Sequence, residues 1–285
     1  MRVVYFGYLQ GPLKAALEGG VEIGRVFVEP GPQRTGPMIE LCQERSLNWT
    51  EAGDIKTNPV VLEELNKKPD LCLVGAFGQI VPKDLLTRPR LGWVNVHFSY
   101  LPFYRGNSPI EWMILSGEEQ GGVTYHWIDS GIDRGDIIAQ ARVPIGARDD
   151  YPAVFDRADQ AAWELGQRLW DRDPTLWPRK PQNGGRGSYL PLRTEKDRRV
   201  GRATRPLTAD RLIRAEAWTG KVHLVCGGKK VPLLWLGRSR PEPGLSNGTV
   251  TRVKETEISV VLGGEELSFG TMGASWRPRP GQLIE

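Results

Sequence analysis

Asn95 and His97 stand two positions apart in the apolar run Trp93 to His97. In an extended strand that spacing puts an amide and an imidazole on the same side. Such a pair suits a developing oxyanion together with a proton transfer. The run opens into a polar loop, NVHFSYLPFYRGNSP, from Asn95 to Pro109. A second polar loop, DSGIDRGD, from Asp129 to Asp136, separates the apolar stretches Val123 to Ile128 and Ile137-Ile138. An acid from that loop can orient or charge the imidazole. The YFGYLQG turn lacks the dinucleotide spacing, so NAD binding is rejected.

These loops need a scaffold, and the first half of the chain supplies one by alternating strands with helices. Val3 to Phe6 reads as a buried strand ended by Gly7, and Pro12 to Glu18 as a short helix stopped by Gly19-Gly20. Val21 to Val28 follows as a strand, broken by Pro30-Gly31-Pro32, then a helix near Met38 to Arg45 and a brief strand near Leu47 to Thr50. Asn58-Pro59 starts another helix, with Asn as N-cap and Pro in the first turn. Leu71 to Val74 is the next strand, and Asp150 to Trp170 carries apolar residues at helical spacing. The pattern predicts βαβ units, hence a Rossmann-like α/β domain with a mostly parallel sheet and helices on both faces. Ligands of such sheets bind beyond the carboxyl ends of the strands, where both polar loops belong.

Composition bounds the rest. At about 150 residues per domain, the 285 residues suggest about two domains. Residues 179–206 hold nine basic residues against Glu195 and Asp197, a net +7, and include Pro181, the Gly184-Gly185 pair, Gly187 and Pro191. They read as a basic, irregular linker between a domain over 1–178 and a smaller one over 207–285. The latter opens with a short helix, Thr208 to Trp218, and continues as short strands with glycine turns, as in a small barrel. The whole chain has 38 Lys plus Arg against 34 Asp plus Glu, a net +4 too small to imply nucleic acid by itself. Cys42, Cys72 and Cys226 form neither a CxxC pair nor a disulfide framework, and with only His97, His126 and His223 no metal site is expected. No stretch approaches the length of a membrane span and the first residues lack a signal-peptide pattern, so a cytoplasmic location is expected.

Together, NVHFSYLPFYRGNSP and GGVTYHWIDSGIDRGDII resemble the folate-dependent formyltransferase family, which includes amino-sugar N-formyltransferases and methionyl-tRNA formyltransferase. The family pattern is matched by Asn95, His97, Ser99, Leu101, Pro102, Arg105, Gly106, Pro109, Asp133 and Gly135. The likeness is densest over residues 70–142. It implies transfer of a formyl group from 10-formyltetrahydrofolate to an amine, with Asn95, His97 and Asp133 as the catalytic set. The donor's pterin would lie between Phe77, Gly78, Gln79, Ile80 and Val81 on one loop and Ile132 to Gly135 on the other. Arg134 departs from the family pattern, where Thr is usual. On the acceptor side the expected residues are Tyr8, Ser99, Tyr104, Arg105, Gly106, Asn107 and Trp112. His126 is assigned to packing, with lining of the acceptor pocket as the alternative, His223 to packing, Asp129 to a loop cap and Asp136 to local turn chemistry.

Two acceptor classes compete. A small amine, above all a nucleotide-linked amino sugar or else a hydroxyornithine-type amine, fits the aromatic SYLPFYRGNSP stretch and the shortness of EPGPQRTGP, whose only cation is Arg34. Methionyl-tRNA, for which the family uses a basic insertion at that point, is the alternative that the basic linker sustains. A hydrolase releasing formate from the same folate is a further alternative. A homodimer is the one protein partner considered.

Overall fold

The computed structural model describes residues 1–182, 187–272 and 276–285. Gly184 and Gly185 lie outside these residues, as does any account of the Arg34 side chain. The chain divides into two units. The first holds Met1–Gly106, Gln120–Pro144 and Phe155–Leu190, and the second holds Asn107–Glu119, Ile145–Val154 and Pro191–Glu285. The division thus falls inside the basic stretch, and two earlier segments join the second unit.

In the first unit the strands are β1 (Arg2–Gly7), β2 (Glu22–Val28), β3 (Trp49–Glu51), β4 (Leu71–Gly75), β5 (Trp93–His97), β6 (Arg105–Gly106), β7 (Gln120–Trp127), β8 (Ile137–Pro144) and β9 (Tyr189–Leu190). Seven of them form one sheet in the order β3-β2-β1-β4-β5-β7-β8. The first five run parallel, and β7 and β8 are antiparallel to their neighbours. The apolar runs read as buried strands are buried: Val3, Val4, Tyr5 and Phe6 have no exposed surface. The order reverses at β1 and β4, leaving a crevice beyond their carboxyl ends. There the backbones nearly touch. Gly7 has φ +119°, and a Cβ on it would sit 2.0 Å from the Gly75 carbonyl oxygen, so only glycine fits.

Helices α1 (Gln10–Glu18), α2 (Pro32–Glu44), α3 (Pro59–Asn66), α4 (Lys83–Leu86) and most of α6 (Tyr151–Trp170) flank this sheet, while α5 (Pro109–Ser116) lies in the second unit. Asn58 caps α3, its Oδ1 accepting from the N–H groups of Val60 and Val61 at 2.9 and 3.3 Å. α2 begins six residues before the expected Met38. Pro32, read as part of a break, occupies its first turn, where a missing N–H costs no helical bond. From α6, Asp159 accepts the Gly11 N–H through both oxygens, at 3.0 and 2.9 Å.

The second unit contains α5, α7 (Pro206–Glu216) and the strands β10 (Arg199–Val200), β11 (His223–Cys226), β12 (Lys229–Pro241), β13 (Val250–Val253), β14 (Glu257–Leu262) and β15 (Glu265–Thr271). They form a sheet in the order β10-β11-β12-β15-β14-β13 around a core that includes Leu224, Leu233, Val260 and Phe269. Bridges from Ile284 to Cys226 and from Leu283 to Thr249 join its two sides, as a barrel-like closure requires. Beside this core Glu216, 1% exposed, receives the guanidiniums of Arg193 and Arg198.

Candidate active site

β5 ends in the crevice region with Asn95 half-buried and His97 only 7% exposed. Antiparallel pairing sets Asn95 opposite His126 and His97 opposite Thr124 on β7. The Asp129–Asp136 loop that follows β7 brings Asp133 to these side chains. Asp133 Oδ1 lies 3.4 Å from Asn95 Nδ2 and 3.6 Å from His126 Nε2, and its Oδ2 lies 3.7 Å from His97 Nδ1. The Gly106 N–H donates to Oδ2 at 2.8 Å. An amide, two imidazoles and a carboxylate therefore converge from β5, β7 and one loop.

The hydrogen bonds fix how these groups face one another. His126 Nδ1 lies 2.9 Å from the Trp127 carbonyl oxygen, which can only accept, so Nδ1 carries a proton. In the neutral ring Nε2 is then an acceptor, and Asn95 Nδ2 at 3.1 Å donates to it. The second hydrogen of Asn95 Nδ2 points along the longer contact to Asp133. His97 Nε2 lies 2.8 Å from the Tyr104 carbonyl and donates to it, leaving Nδ1 toward Asp133. Burial pushes the Asp133 carboxyl up, but the charge that the His97 and His126 imidazoles carry when protonated, together with the Gly106 N–H, outweighs it and holds Asp133 well below the usual carboxylate range. Asp133 is thus an anion at neutral pH.

Two residues here adopt left-handed backbone, Tyr104 at φ +59° and Asp133 at φ +50°. Such conformations are held by their surroundings. For Asp133 one constraint is Gly135, where a Cβ would lie 1.8 Å from the Trp127 carbonyl oxygen. For Tyr104 it is Ser188, whose hydroxyl accepts the Tyr104 N–H at 2.8 Å and whose carbonyl accepts the Arg105 N–H at 2.9 Å.

The site can be set against known proteins. The family model described as formyl transferase matches residues 30–166, which include Asn95, His97, His126 and Asp133. A methionyl-tRNA formyltransferase of Syntrophus aciditrophicus is 31% identical over 263 residues, covering 88% of this chain and 83% of the relative. The chain belongs to the formyl transferase family. A methionyl-tRNA formyltransferase of Desulforamulus reducens is 35% identical over 205 residues, 67% of this chain, and the match spans 64% of that relative's length. Among solved structures, an N-formyltransferase from Helicobacter canadensis, in complex with folinic acid and dTDP-3-aminofucose, superposes with a TM-score of 0.66. It covers 95% of this chain and 99% of that one, and at 17% identity the likeness is one of fold.

Within this formyl transferase fold the other expected site residues take varied places. Phe77 and Val81 pack against the core cluster around Phe6 and Trp93. The Gly78 N–H donates to Glu29 at 2.8 Å, and Gln79 is held to the neighbouring loop through the Gly53 carbonyl and the Ile55 N–H. Ile80 and Ile132 are 72% and 42% exposed, apolar side chains on the two loops assigned to the pterin. Tyr8 follows β1 and stacks with Phe155 at 6.3 Å between ring centroids. Ser99 is fully buried, and its hydroxyl donates to the Phe103 carbonyl at 2.7 Å, so it braces the loop. Arg105 is buried too, donating to Gln182 through Nε and Nη2. Burial first, and the nearby Arg134 second, push its guanidinium down in pKa. Arg134 itself is exposed. Asn107 and Trp112 belong to the second unit, where Trp112 donates to the Pro191 carbonyl at 3.3 Å beneath the Arg193 guanidinium.

Asp129 caps its loop by accepting the Gly131 N–H at 2.8 Å. His126 is buried, in keeping with its assignment to packing, yet its ring is also part of the polar cluster, which that assignment missed. A signal was present: Thr124 and His126 are polar at alternate positions of the apolar stretch Val123 to Ile128, the same spacing that singled out Asn95 and His97. Gln182 and Ser188 carried no comparable signal, because each acts across many intervening residues. Among the described residues no group of His, Cys, Asp and Glu could hold a metal, and no helix is long and apolar enough to cross a membrane.

Proposed function

We propose that this protein transfers a formyl group from 10-formyltetrahydrofolate to the amine of a nucleotide-linked amino sugar. The observation that carries the reaction class is the convergence of Asn95, His97 and ionised Asp133 around one point. The donor fits the loops on either side. Ile80 and Ile132 expose apolar side chains that a flat pterin can cover, and backbone groups of 77–81 and 132–135 run beside them. When bound, the donor supplies the formyl group.

The chain's own residues then have separate tasks. The Asn95 Nδ2–H aimed along the long contact to Asp133 can turn to a carbonyl oxygen on which negative charge develops. His97 offers a second donor once its bond to the Tyr104 carbonyl is exchanged for that oxygen. Fixed donors of this kind contribute on the order of 2.7–4 kcal/mol each to the barrier. Asp133, held ionised, takes up, directly or through water, the proton that the acceptor amine loses as its nitrogen bonds to the formyl carbon, and gives it up to the folate nitrogen as the bond between that nitrogen and the formyl carbon breaks. It also stabilises positive charge on the two imidazoles. His126 keeps the Asn95 amide turned the right way.

The acceptor class is supported by the short turn after β2. Only three residues separate Val28 from the first turn of α2, and Glu29 among them is engaged with Gly78, so this turn carries no basic insertion. A second reading, methionyl-tRNA as acceptor, is supported by the names of relatives that align over the full chain, such as that of Geotalea uraniireducens at 28% identity over 310 residues. Incubation with 10-formyltetrahydrofolate and either a dTDP-linked amino sugar or methionyl-tRNA, with product masses read by mass spectrometry, separates them. Formylation of the sugar and not of the tRNA is expected. Formylation of the tRNA with steep salt dependence overturns the acceptor assignment. Formate release with no amine present replaces transfer by hydrolysis.

A further inference from the structure

We infer that Gln182 is a positioning residue that holds the Asp133 loop against the loop carrying Arg105; the inference deepens the formyl-transfer reading and rests on it. Gln182 precedes β9 in the basic stretch and lies outside the residues that the family model matches. Its Oε1 accepts from Arg105 Nε at 3.1 Å and from Nη2 at 2.7 Å. Its Nε2 donates to the carbonyl oxygens of Asp133 at 2.9 Å and Gly135 at 2.8 Å. All of the amide's polar capacity toward these loops is in use.

The orientation is unique. Turning the amide over would set its NH₂ against a guanidinium and its oxygen against two carbonyls. Gln182 therefore links the polar loop that leaves β5 to the loop that leaves β7, the two segments whose side chains make the cluster. Asp133 needs this help because its backbone stands at φ +50°, a conformation the chain does not keep unaided. Its carboxylate must reach His97, His126, Asn95 and the Gly106 N–H at once, and a displacement of about 1 Å is enough to lose on the order of 100-fold in rate. Arg105 depends on Gln182 as well, since its guanidinium is buried and needs an acceptor.

Two variants separate the halves of the amide. Gln182→Ala removes both. Gln182→Glu keeps an acceptor for Arg105 but faces the Asp133 and Gly135 carbonyls with a carboxylate that cannot donate. Two readouts apply to the full chain. The first is the set of imidazole ¹⁵N resonances. His97 and His126 report on Asp133, and His223, in the other unit, is an internal reference for folding. The second is steady-state formyl transfer, with 10-formyltetrahydrofolate and whichever of dTDP-linked amino sugar and methionyl-tRNA the wild type formylates. In both variants the His97 and His126 resonances are expected to move while His223 stays. Turnover kcat should fall roughly 10- to 100-fold, with acceptor KM changing by less than about threefold. Unmoved His97 and His126 resonances overturn the inference, and so does a Gln182→Glu protein with wild-type kcat. If the wild type transfers no formyl group, the functional reading fails, and the imidazole resonances still decide whether Gln182 sets Asp133.

Discussion

Replacing Asp133 by Asn isolates charge from shape. The side chain is isosteric and keeps an oxygen for the Gly106 N–H, so the loop retains that bond. What is lost is the negative charge placed 3.7 Å from His97 Nδ1 and 3.6 Å from His126 Nε2. At about 4 Å and an effective dielectric constant near 20, one such pair is worth about 4 kcal/mol when the imidazole carries positive charge. If that charge develops only in the transition state, the loss converts to roughly a thousandfold in rate. The variant also lacks the acceptor for the amine proton, so the loss should not be smaller. Single-turnover formyl transfer at saturating donor, compared with thermal melts of the same samples, measures it. A Tm close to wild type with a single-turnover rate constant reduced roughly a thousandfold is expected. An Asp133→Asn enzyme within tenfold of wild-type turnover would falsify the assignment of Asp133 to the chemistry.

His126→Ala removes the acceptor that orients Asn95 Nδ2 and opens a buried site, so kcat should fall roughly 10- to 100-fold and stability by about 1–3 kcal/mol; denaturant melts and turnover measured together check both. Gly135→Ala drives a Cβ into the Trp127 carbonyl, and a cost of roughly 1–3 kcal/mol with disordered Asp133 contacts is expected from unfolding curves and imidazole resonances. Burial pushes the Asp159 carboxyl up to about 6, the Gly11 N–H opposing it. The folded state thus binds this proton more tightly than the unfolded chain, whose carboxyl has its ordinary pKa of about 4. The stability it contributes is fully present below that ordinary value and is lost as pH rises through about 6. Between those limits, Tm of the wild type minus Tm of Asp159→Asn should fall with rising pH, and a flat difference would show that Asp159 titrates as it does unfolded.

Much of the first unit was legible because its apolar runs are short and have a Gly at one end, Gly7 after Phe6, Gly75 after Val74 and Gly92 before Trp93. Val3 to Phe6, Leu71 to Val74 and Trp93 to His97 all form the strands they predict. The start of α2 was less legible, since Pro32 reads equally as a breaker and as a first-turn residue. The division of the chain was hidden for a topological reason: Asn107–Glu119 and Ile145–Val154 belong to the second unit, and local composition does not report on distant packing. At the site, Asn95 and His97 were visible through strand spacing. Asp133 could be told from Asp129 and Asp136 only by resemblance, because all three share one polar loop. Ser99 and Arg105, expected on the acceptor side, are both buried, Ser99 bonded to the Phe103 carbonyl and Arg105 to Gln182. His126 was missed because an imidazole in an apolar strand is usually packing, and only pairing with Asn95 reveals its partner.

The placement of Glu216 changes what the basic stretch can do. Arg193 and Arg198 bring their guanidiniums to one inward carboxylate, so two of the cations in the tally already own a counterion inside the protein. Lys230, outside the stretch, takes up Glu195, one of its two acids. A tally along the chain therefore differs from the potential that a passing polyanion would feel, and arginine-rich wording in a primary structure can describe mortar between bricks as readily as a landing strip for phosphate.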